Sequence, residues 1–366
     1  NDEQEYIDLA KSLAEDARFV LPTGDAATRM PMYPALLSVI YRSQESKYWL
    51  SAVDIMQALM GVISTIGLAC IAARLADARA GIVAGLTAAF YAPFIYVESQ
   101  LLTETLALLL LVLTLWLYVA LCLTPPKRFE QRLAPWGVSV LLGLSALTRA
   151  NAALLVIPFV VHAWLRSPPG VRRGVRVVAI VLPAALIVGG WMARNQAVVG
   201  KFTLSSIGGL NFYLGHNPDY RNDAGLGAAD YDRFNHLRRD GLSEAEADAS
   251  LYTEGWAFVK AHPAEVAGNW FRKIRVWFTP TTRSMGPSLL LLVAGAIIAS
   301  LFGASGEAGR RRSLRAGLAV VWLGCALAYA AWAYFTPVVP LVSSKFLLPL
   351  GIPALLFFRP ALRVRG

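Results

Sequence analysis

The sequence predicts an all-α polytopic membrane protein, and three observations carry that prediction. Of 366 residues, 56% are hydrophobic and only 16% are charged, where soluble domains carry about a quarter charged residues. The mean hydropathy is +0.50, and the apolar residues gather into runs near the roughly 20 residues that a helix needs to cross a hydrocarbon core. The basic residues fall in short clusters between those runs. A water-soluble fold has no interior large enough to hide this much apolar surface. The net charge of +10 and pI near 9.7 therefore read as membrane topology rather than as one nucleic-acid-binding face. Cys70, Cys122 and Cys325 each sit inside an apolar run. They read as small buried hydrophobes and say nothing about compartment.

Length and freedom from charge mark the candidate spans as 51–73, 80–97, 105–123, 137–148, 152–165, 177–193, 284–302, 316–335 and 346–358, with about 17 to 25 residues as the working range. The short pair at 137–148 and 152–165 flanks Thr148-Arg149-Ala150-Asn151 and reads as a tight helical hairpin. Lysines and arginines collect in short cytoplasmic loops. Arg74 and Arg79; Lys127, Arg128 and Arg132; Arg166, Arg172, Arg173 and Arg176; Arg310, Arg311, Arg312 and Arg315; and Arg359, Arg363 and Arg365 all fall on one side of such a topology. That side is expected to be cytoplasmic. The division that follows has a first extracytoplasmic loop with interfacial helices at 1–50 and membrane helices over 51–193. An outer subdomain at 194–283 precedes C-terminal membrane helices and a cytoplasmic tail over 284–366.

Function is expected on the outer side. The opening NDEQEYIDLAKSLAEDARFV sets Ile7, Leu9, Leu13, Ala14, Ala17 and Val20 among charges, the pattern of a helix lying on a bilayer surface. Residues 194–283 are the long polar stretch. Gly208, Gly209, Asn217 and Pro218 mark turns in it, and a helix is predicted from about Ser243 to Ala261, with Ser243 as N-cap and Glu246 at the capping-box position. The chain shows no internal repeat, low-complexity tract or signal peptide. Its abrupt polar start predicts a membrane segment upstream.

Charged groups beside a membrane are costly and mark candidate sites. Asp2 and Glu3 are adjacent at the start, Glu98 and Glu104 bracket the ends of two predicted helices, and Glu104 leads straight into TLALLLLVLTLW. The plainer account of Asp2 and Glu3 is a solvated helix start favoured by the dipole. On the same side stand Arg29, Arg149, Arg194 and Lys345, each at the border of an apolar segment. Any one of them alone reads as a cation snorkelling to headgroups. Together, acids and cations suggest a site. A carboxylate can take a proton from an attacking hydroxyl while cations hold a departing phosphate, and that is glycosyl transfer from a sugar phosphate.

Several segments resemble one family in order. Asp2-Glu3 with Tyr6 is similar to the D-E-x-x-Y opening of the first outer loop in GT-C glycosyltransferases of the aminoarabinose-transferase and protein-O-mannosyltransferase type. RMPMYPALL from Arg29 resembles the R-x-P-x-Y-P stretch, and LLTETLALLLL from Leu101 the carboxylate-led helix. GLSALTRANAALLVIPFV from Gly143 resembles the G-L-x-x-L-T-R hairpin. ARNQAVVGKFTLSSIGGLNFYLGHNP from Ala193 is similar to the arginine-asparagine exit into the outer loop, and SSKFLLPLGIP from Ser343 to the late R-Y-x-x-P-x-x-P element. Lys345-Phe346 stands where arginine-tyrosine is usual, which keeps the charge and loses the bidentate fork.

The resemblance implies a GT-C helix bundle that moves a sugar, with inversion, from a polyprenyl-phosphate donor to an envelope acceptor. Asp2 would be the general base, Glu3 would orient the loop or acceptor, and Glu104 would be a second carboxylate. Arg29, Arg194 and Lys345 would clamp phosphate, with Tyr33 and Arg149 as further substrate contacts. No cofactor is demanded, although a divalent metal would find Asp2 and Glu104. The implied partners are the lipid donor, a lipid, glycan or protein acceptor, and membrane lipid, with the active site on the outer face of the cell membrane. The sequence leaves the sugar and the acceptor open.

Other chemistries lack motifs. His162, His216, His236 and His262 show no metal-ligand spacing and there is no Walker-type loop. Gly81 and Gly85 read as close packing within the bundle. The rival class is a transporter or flippase, which predicts inverted repeats and mid-membrane charge; neither is seen. A glycan-moving ligase of the same membrane setting is disfavoured by Asp2-Glu3, and a non-catalytic membrane protein is the bland alternative.

Overall fold

A computed structural model describes residues 2–43, 48–123, 128–166, 170–217 and 228–278. Among them every regular element is helical, as the composition predicts. In chain order these are α1 (Asp2–Glu15), α2 (Met32–Ser43), α3 (Trp49–Leu75), α4 (Ala78–Ala89), α5 (Ala92–Glu98), α6 (Glu104–Leu123) and α7 (Arg128–Thr148). A 3-10 turn (Ala150–Leu155) then leads to α8 (Val156–Arg166), α9 (Val171–Val199), α10 (Gly208–Gly215), α11 (Ala228–Arg239), α12 (Glu244–Ala261) and α13 (Pro263–Phe278). The predicted spans 284–302, 316–335 and 346–358, and with them Lys345, lie outside the described residues.

Two helices, Trp49–Leu75 and Arg173–Val199, are long and apolar enough to cross a membrane, and only 22% and 17% of their most apolar stretches are buried. The core helix of a soluble protein would be mostly covered. Here Ile55, Leu59, Ile66 and Leu186 stand 57–66% exposed, apolar surface of the kind that a lipid environment covers. Hydroxyls inside the apolar helices turn back onto their own backbone: Ser64 donates to the Met60 carbonyl, Thr114 to Leu110, Ser145 to Leu141 and Thr148 to Leu144. This i−4 pattern satisfies a polar group without water. Cys70, expected to be buried, is instead an exposed free thiol on α3.

The described residues divide into two compact units, one drawn from 2–64, 97–217 and 228–263 and the other from 65–96 and 264–278. In the second, Asp77 caps α4 by accepting from the Ala80 N–H at 2.8 Å. The single span expected at 80–97 is two helices. The α4 helix closes at Phe90, whose N–H bonds the carbonyls of Leu86 and Ala88, and Pro93, which has no N–H to continue a ladder, sits in the first turn of α5. Gly81 and Gly85 do serve packing. A Cβ on Gly81 would meet Ala73 Cβ at 2.8 Å, and one on Gly85 would meet Ala69 Cβ at 3.1 Å.

In the first unit, α7 and α9 lie close because Gly143 has no side chain; a Cβ there would come within 3.1 Å of Ala184 Cα. The Ser139 hydroxyl accepts from the Ala184 N–H at 2.9 Å, beside Pro183 in the interior of α9. This bond supports the helix where proline interrupts its own ladder. The expected turn at Thr148–Asn151 is present: α7 ends at Thr148, Arg149 is extended at φ −143° and ψ 120°, and the 3-10 turn follows. The α9 helix runs past the predicted end at 193 to Val199 and stops on Gly200 at φ 76°, the left-handed cap that glycine adopts without strain.

The α1 helix departs from expectation. Its apolar face packs on protein rather than lying open for a bilayer. Tyr6 and Ala10 join Tyr33 and Leu37 of α2, Val53 of α3 and Leu106 of α6 in one core, while Leu9 packs with Phe19, Leu21 and Trp191. A third core unites α10, α11 and α12 around Leu210, Phe234 and Leu251. The capping box read from the sequence is complete: the Ser243 side chain accepts from the Glu246 N–H, and the Glu246 carboxylate accepts from the Ser243 N–H at 2.8 Å.

Candidate functional site

The site begins with irregular chain. Between α1 and α2, residues 16–31 form no regular element, so their backbone groups need partners from elsewhere. Leu21 donates to the Asp25 carbonyl at 2.8 Å, with Gly24 at φ 84° in the turn. Glu244, at the start of α12 and 4% exposed, accepts from the N–H groups of Ala26 and Ala27 at 2.8 and 2.9 Å and from the Ser206 hydroxyl. Asp25 accepts from Arg238 at 2.8 Å, and Ser205 donates to the Thr28 carbonyl at 3.0 Å. Arg194 donates to the carbonyls of Ala26 and Phe19, its guanidinium 4.8 Å from the Trp191 ring centroid. Residues from α9, α11, α12 and the segment that follows α9 thus hold this loop at Phe19 and at the four consecutive positions Asp25, Ala26, Ala27 and Thr28, and the next residue is Arg29.

Arg29 is nearly enclosed, its side chain 11% exposed, and it bonds two acids of the first turn of α1: Asp2 at 2.6 Å and Glu5 at 2.6 Å. Asp2 and Glu5 are three residues apart and so share a helix face. Burial works against the guanidinium charge, but the hydrogen bond to Glu5 and the attraction of Glu5 and Asp2 outweigh it and raise Arg29 above the ordinary arginine value. Arg29 also lies 5.6 Å from the centroid of Tyr6. Burial raises the Tyr6 phenol above its usual range; Arg29 opposes that shift, while Asp2 and Glu104 add to it. Tyr6 therefore senses both carboxylates.

The second charged pair comes from other elements. Glu104 heads α6, and Arg149 occupies the extended position after α7; their side chains bond at 2.6 Å, 39% and 42% exposed. The same Arg149 nitrogen reaches the Thr103 hydroxyl at 3.2 Å. Glu3 points elsewhere and accepts from the Leu101 N–H at 3.1 Å, tying α1 to the residues before α6.

One cavity of about 580 Å³ gathers Asp2, Arg29, Glu104 and Arg149 on its wall. Of the expected site residues, these four are brought together. Tyr33 is not among the lining residues: it is wholly buried, its hydroxyl donates to Gln57 at 2.7 Å, and Gln57 donates to the Glu98 carbonyl at 2.8 Å. Burial raises the Tyr33 phenol well above its ordinary range. Arg194 and Glu3 likewise hold backbone rather than facing the cavity. The cavity adds Tyr6, Asn151, Ser205, Asn211 and Tyr252, and Glu5 stands behind it as the second partner of Arg29. The three-residue spacing from Asp2 could have disclosed Glu5. Asn211 and Tyr252 arrive by tertiary packing of α10 and α12, for which the sequence carries no local signal.

Asp2 and Glu104 are the carboxylates on that wall. Among the described residues, no three His, Cys, Asp or Glu side chains converge as a metal-holding group. A cation at the cavity would take its oxygens from Asp2 and Glu104 in competition with Arg29 and Arg149.

The helical bundle with its exposed apolar helices marks the chain as an integral membrane protein, and its polar cavity with paired acids and arginines is the candidate site. Residues 28–190, a little under half of the chain, match the family model described as dolichyl-phosphate-mannose-protein mannosyltransferase, which supports a GT-C glycosyltransferase-like protein and points to glycosyltransferase activity. The match includes Arg29, Glu104 and Arg149 and does not extend to Asp2 or Arg194. No curated protein and no solved structure matches the chain.

Proposed function

We propose that this protein transfers a sugar from a polyprenyl-phosphate donor to a hydroxyl of an envelope acceptor, with inversion, at the extracytoplasmic face of the cell membrane. The observation that carries the reading is the convergence of Asp2, Arg29, Glu104 and Arg149 on one cavity of about 580 Å³. In a single displacement the acceptor oxygen attacks the anomeric carbon, the carbon–oxygen bond to phosphate breaks, and the acceptor proton must find a base. Asp2 is that base. Arg29 bonds its Oδ1 and leaves Oδ2 for the hydroxyl. The phosphate leaves with added negative charge, and a cation positioned for it lowers the barrier. Arg149 is that cation, oriented by Glu104 and Thr103 until the donor arrives. Glu3, Arg194 and Tyr33 act at one remove, by fixing the loops that present Asp2 and Arg29, and Lys345 is a further phosphate contact. A lipid tail that never leaves the bilayer requires a site beside membrane helices, which α6 and α7 supply.

Membranes containing the full-length protein or its Asp2→Asn variant would be given radiolabelled sugar on polyprenyl phosphate, and label in total envelope acceptors measured. We expect the variant to lose about 10²- to 10⁴-fold in rate, the usual worth of a general base. Equal incorporation by both proteins would remove Asp2 from that role, and no incorporation with any donor would restore a transporter.

A further inference from the structure

Beside the cavity lies a cluster of rings that the proposed chemistry does not use. Phe212 of α10 has three aromatic neighbours: His216 at 4.5 Å between centroids, Trp256 at 5.1 Å and Tyr252 at 5.7 Å. Their planes are inclined to Phe212 by only 31°, 41° and 32°. The aromatic pairs of the cores are different: Tyr6–Tyr33, Phe19–Trp191 and Tyr118–Phe159 all meet edge to face at 85–90°. Rings so shallowly inclined at these distances stack offset around Phe212, and the outermost of them are open, with Trp256 51% and Tyr252 38% exposed.

The rings are seated by residues that lack a side chain. A Cβ on Gly255 would fall 2.8 Å from Phe212 Cδ1, and one on Gly208 would fall 2.5 Å from the Tyr252 hydroxyl. Lys201, bound to the buried Asp248, stands 5.7 Å from the Tyr252 centroid. Tyr252, Gly208 and the exposed amide residue Asn211 line the reaction cavity itself, so the aromatic surface continues into it.

We infer that this surface binds a pyranose ring of the acceptor, and that the acceptor is therefore a glycan; the inference rests on the transferase reading for its role but not for its binding. A sugar presents one face of C–H groups carrying slight positive charge, which match the negative faces of aromatic rings. Its hydroxyls lie around the edge, where the Asn211 amide and the Tyr252 hydroxyl stand ready to bond them. A sugar on Trp256 can extend a neighbouring residue past Tyr252 into the cavity that holds Asp2. A peptide presents a flat apolar face only where it carries a proline or an aromatic side chain, whereas every pyranose of a glycan carries one. Tryptophan and tyrosine also anchor helices at the membrane interface, and the lipid-quenching measurement below separates that role from sugar binding.

The test is saturation-transfer-difference NMR on the full-length protein in lipid nanodiscs, with trisaccharides of glucose, mannose or N-acetylglucosamine as probes and irradiation of aromatic protons. Signal is expected on the ring C–H protons of at least one trisaccharide, weakened about tenfold by Trp256→Leu and retained by Trp256→Phe and by Trp270→Leu at an exposed tryptophan of α13. No signal from any probe, or equal signal from Trp256→Leu, would overturn the inference. So would quenching by brominated lipids of the emission that Trp256→Phe removes, which would place the indole in the bilayer. The readout needs no donor. Signal with a silent Asp2 assay would leave a glycan-binding surface and unseat the transferase, while transfer without signal would unseat the surface alone.

Discussion

Two sets of carboxylates in the same unit are built in opposite ways. Glu244 and Asp248 are 4% and 1% exposed, and both are spent on the fold. Glu244 takes the N–H groups of Ala26 and Ala27 and the Ser206 hydroxyl, while Asp248 takes Lys201 and the Gly209 N–H. Asp2 and Glu104 have side chains 49% and 39% exposed and are each held by one arginine at 2.6 Å. A buried acid with both oxygens engaged and no solvent beside it has little capacity left for a substrate. An acid half open to solvent and held by one arginine is oriented and still available. The contrast separates residues that build the site from residues that can react in it.

The largest effect should come from the open set. Arg149→Met should lower kcat/KM for the lipid donor by about 10²- to 10³-fold, as expected when a group stabilising developing charge is removed. Its thermal midpoint should stay near wild type, because half-exposed ion pairs add little to stability. Steady-state kinetics and a melting curve on one preparation check both. Next comes the buried set. Asp248→Ala strands the Lys201 ammonium and the Gly209 N–H, and should cost about 2 to 3 kcal/mol, read as a lower melting temperature in detergent.

A smaller and pH-dependent effect is expected at the capping box. Hydrogen bonds from the Ser243 hydroxyl and N–H hold the Glu246 carboxyl below the ordinary glutamate range. A carboxyl lowered on folding stabilises the fold above its unfolded pKa, and that stability is lost as the pH falls through the folded value. Glu246→Ala should therefore melt slightly below wild type at pH 7. The gap should close as the pH is lowered beneath the usual glutamate range; a gap constant from pH 7 to pH 3 would contradict the assignment.

The same contrast explains what could be read from the sequence. Asp2, Glu104, Arg29 and Arg149 each stand at a helix start or a break between apolar runs, so local pattern exposes them. The α12 capping box was legible for the same reason, since Ser243 and Glu246 are three residues apart. Glu244 is adjacent to that box, yet its partners Ala26 and Ala27 lie 218 and 217 residues away, and no local rule reaches so far. Arg194 and Tyr33 show the converse. Their border positions and motif company suggested substrate contacts, while packing turned Arg194 onto the backbone of the outer loop and closed Tyr33 over Gln57. The apolar face of α1 was visible, but periodicity does not say whether lipid or protein will cover it.

The division of labour is tested most directly by comparing Asp2→Asn with Glu244→Gln, measuring sugar transfer and thermal midpoint for each in the same membranes. The account predicts that Asp2→Asn slows transfer about 10²- to 10⁴-fold at an unchanged midpoint, while Glu244→Gln lowers the midpoint and retains transfer at temperatures where it stays folded. Transfer at the wild-type rate in Asp2→Asn, or transfer lost in a folded Glu244→Gln protein of unchanged midpoint, would contradict it.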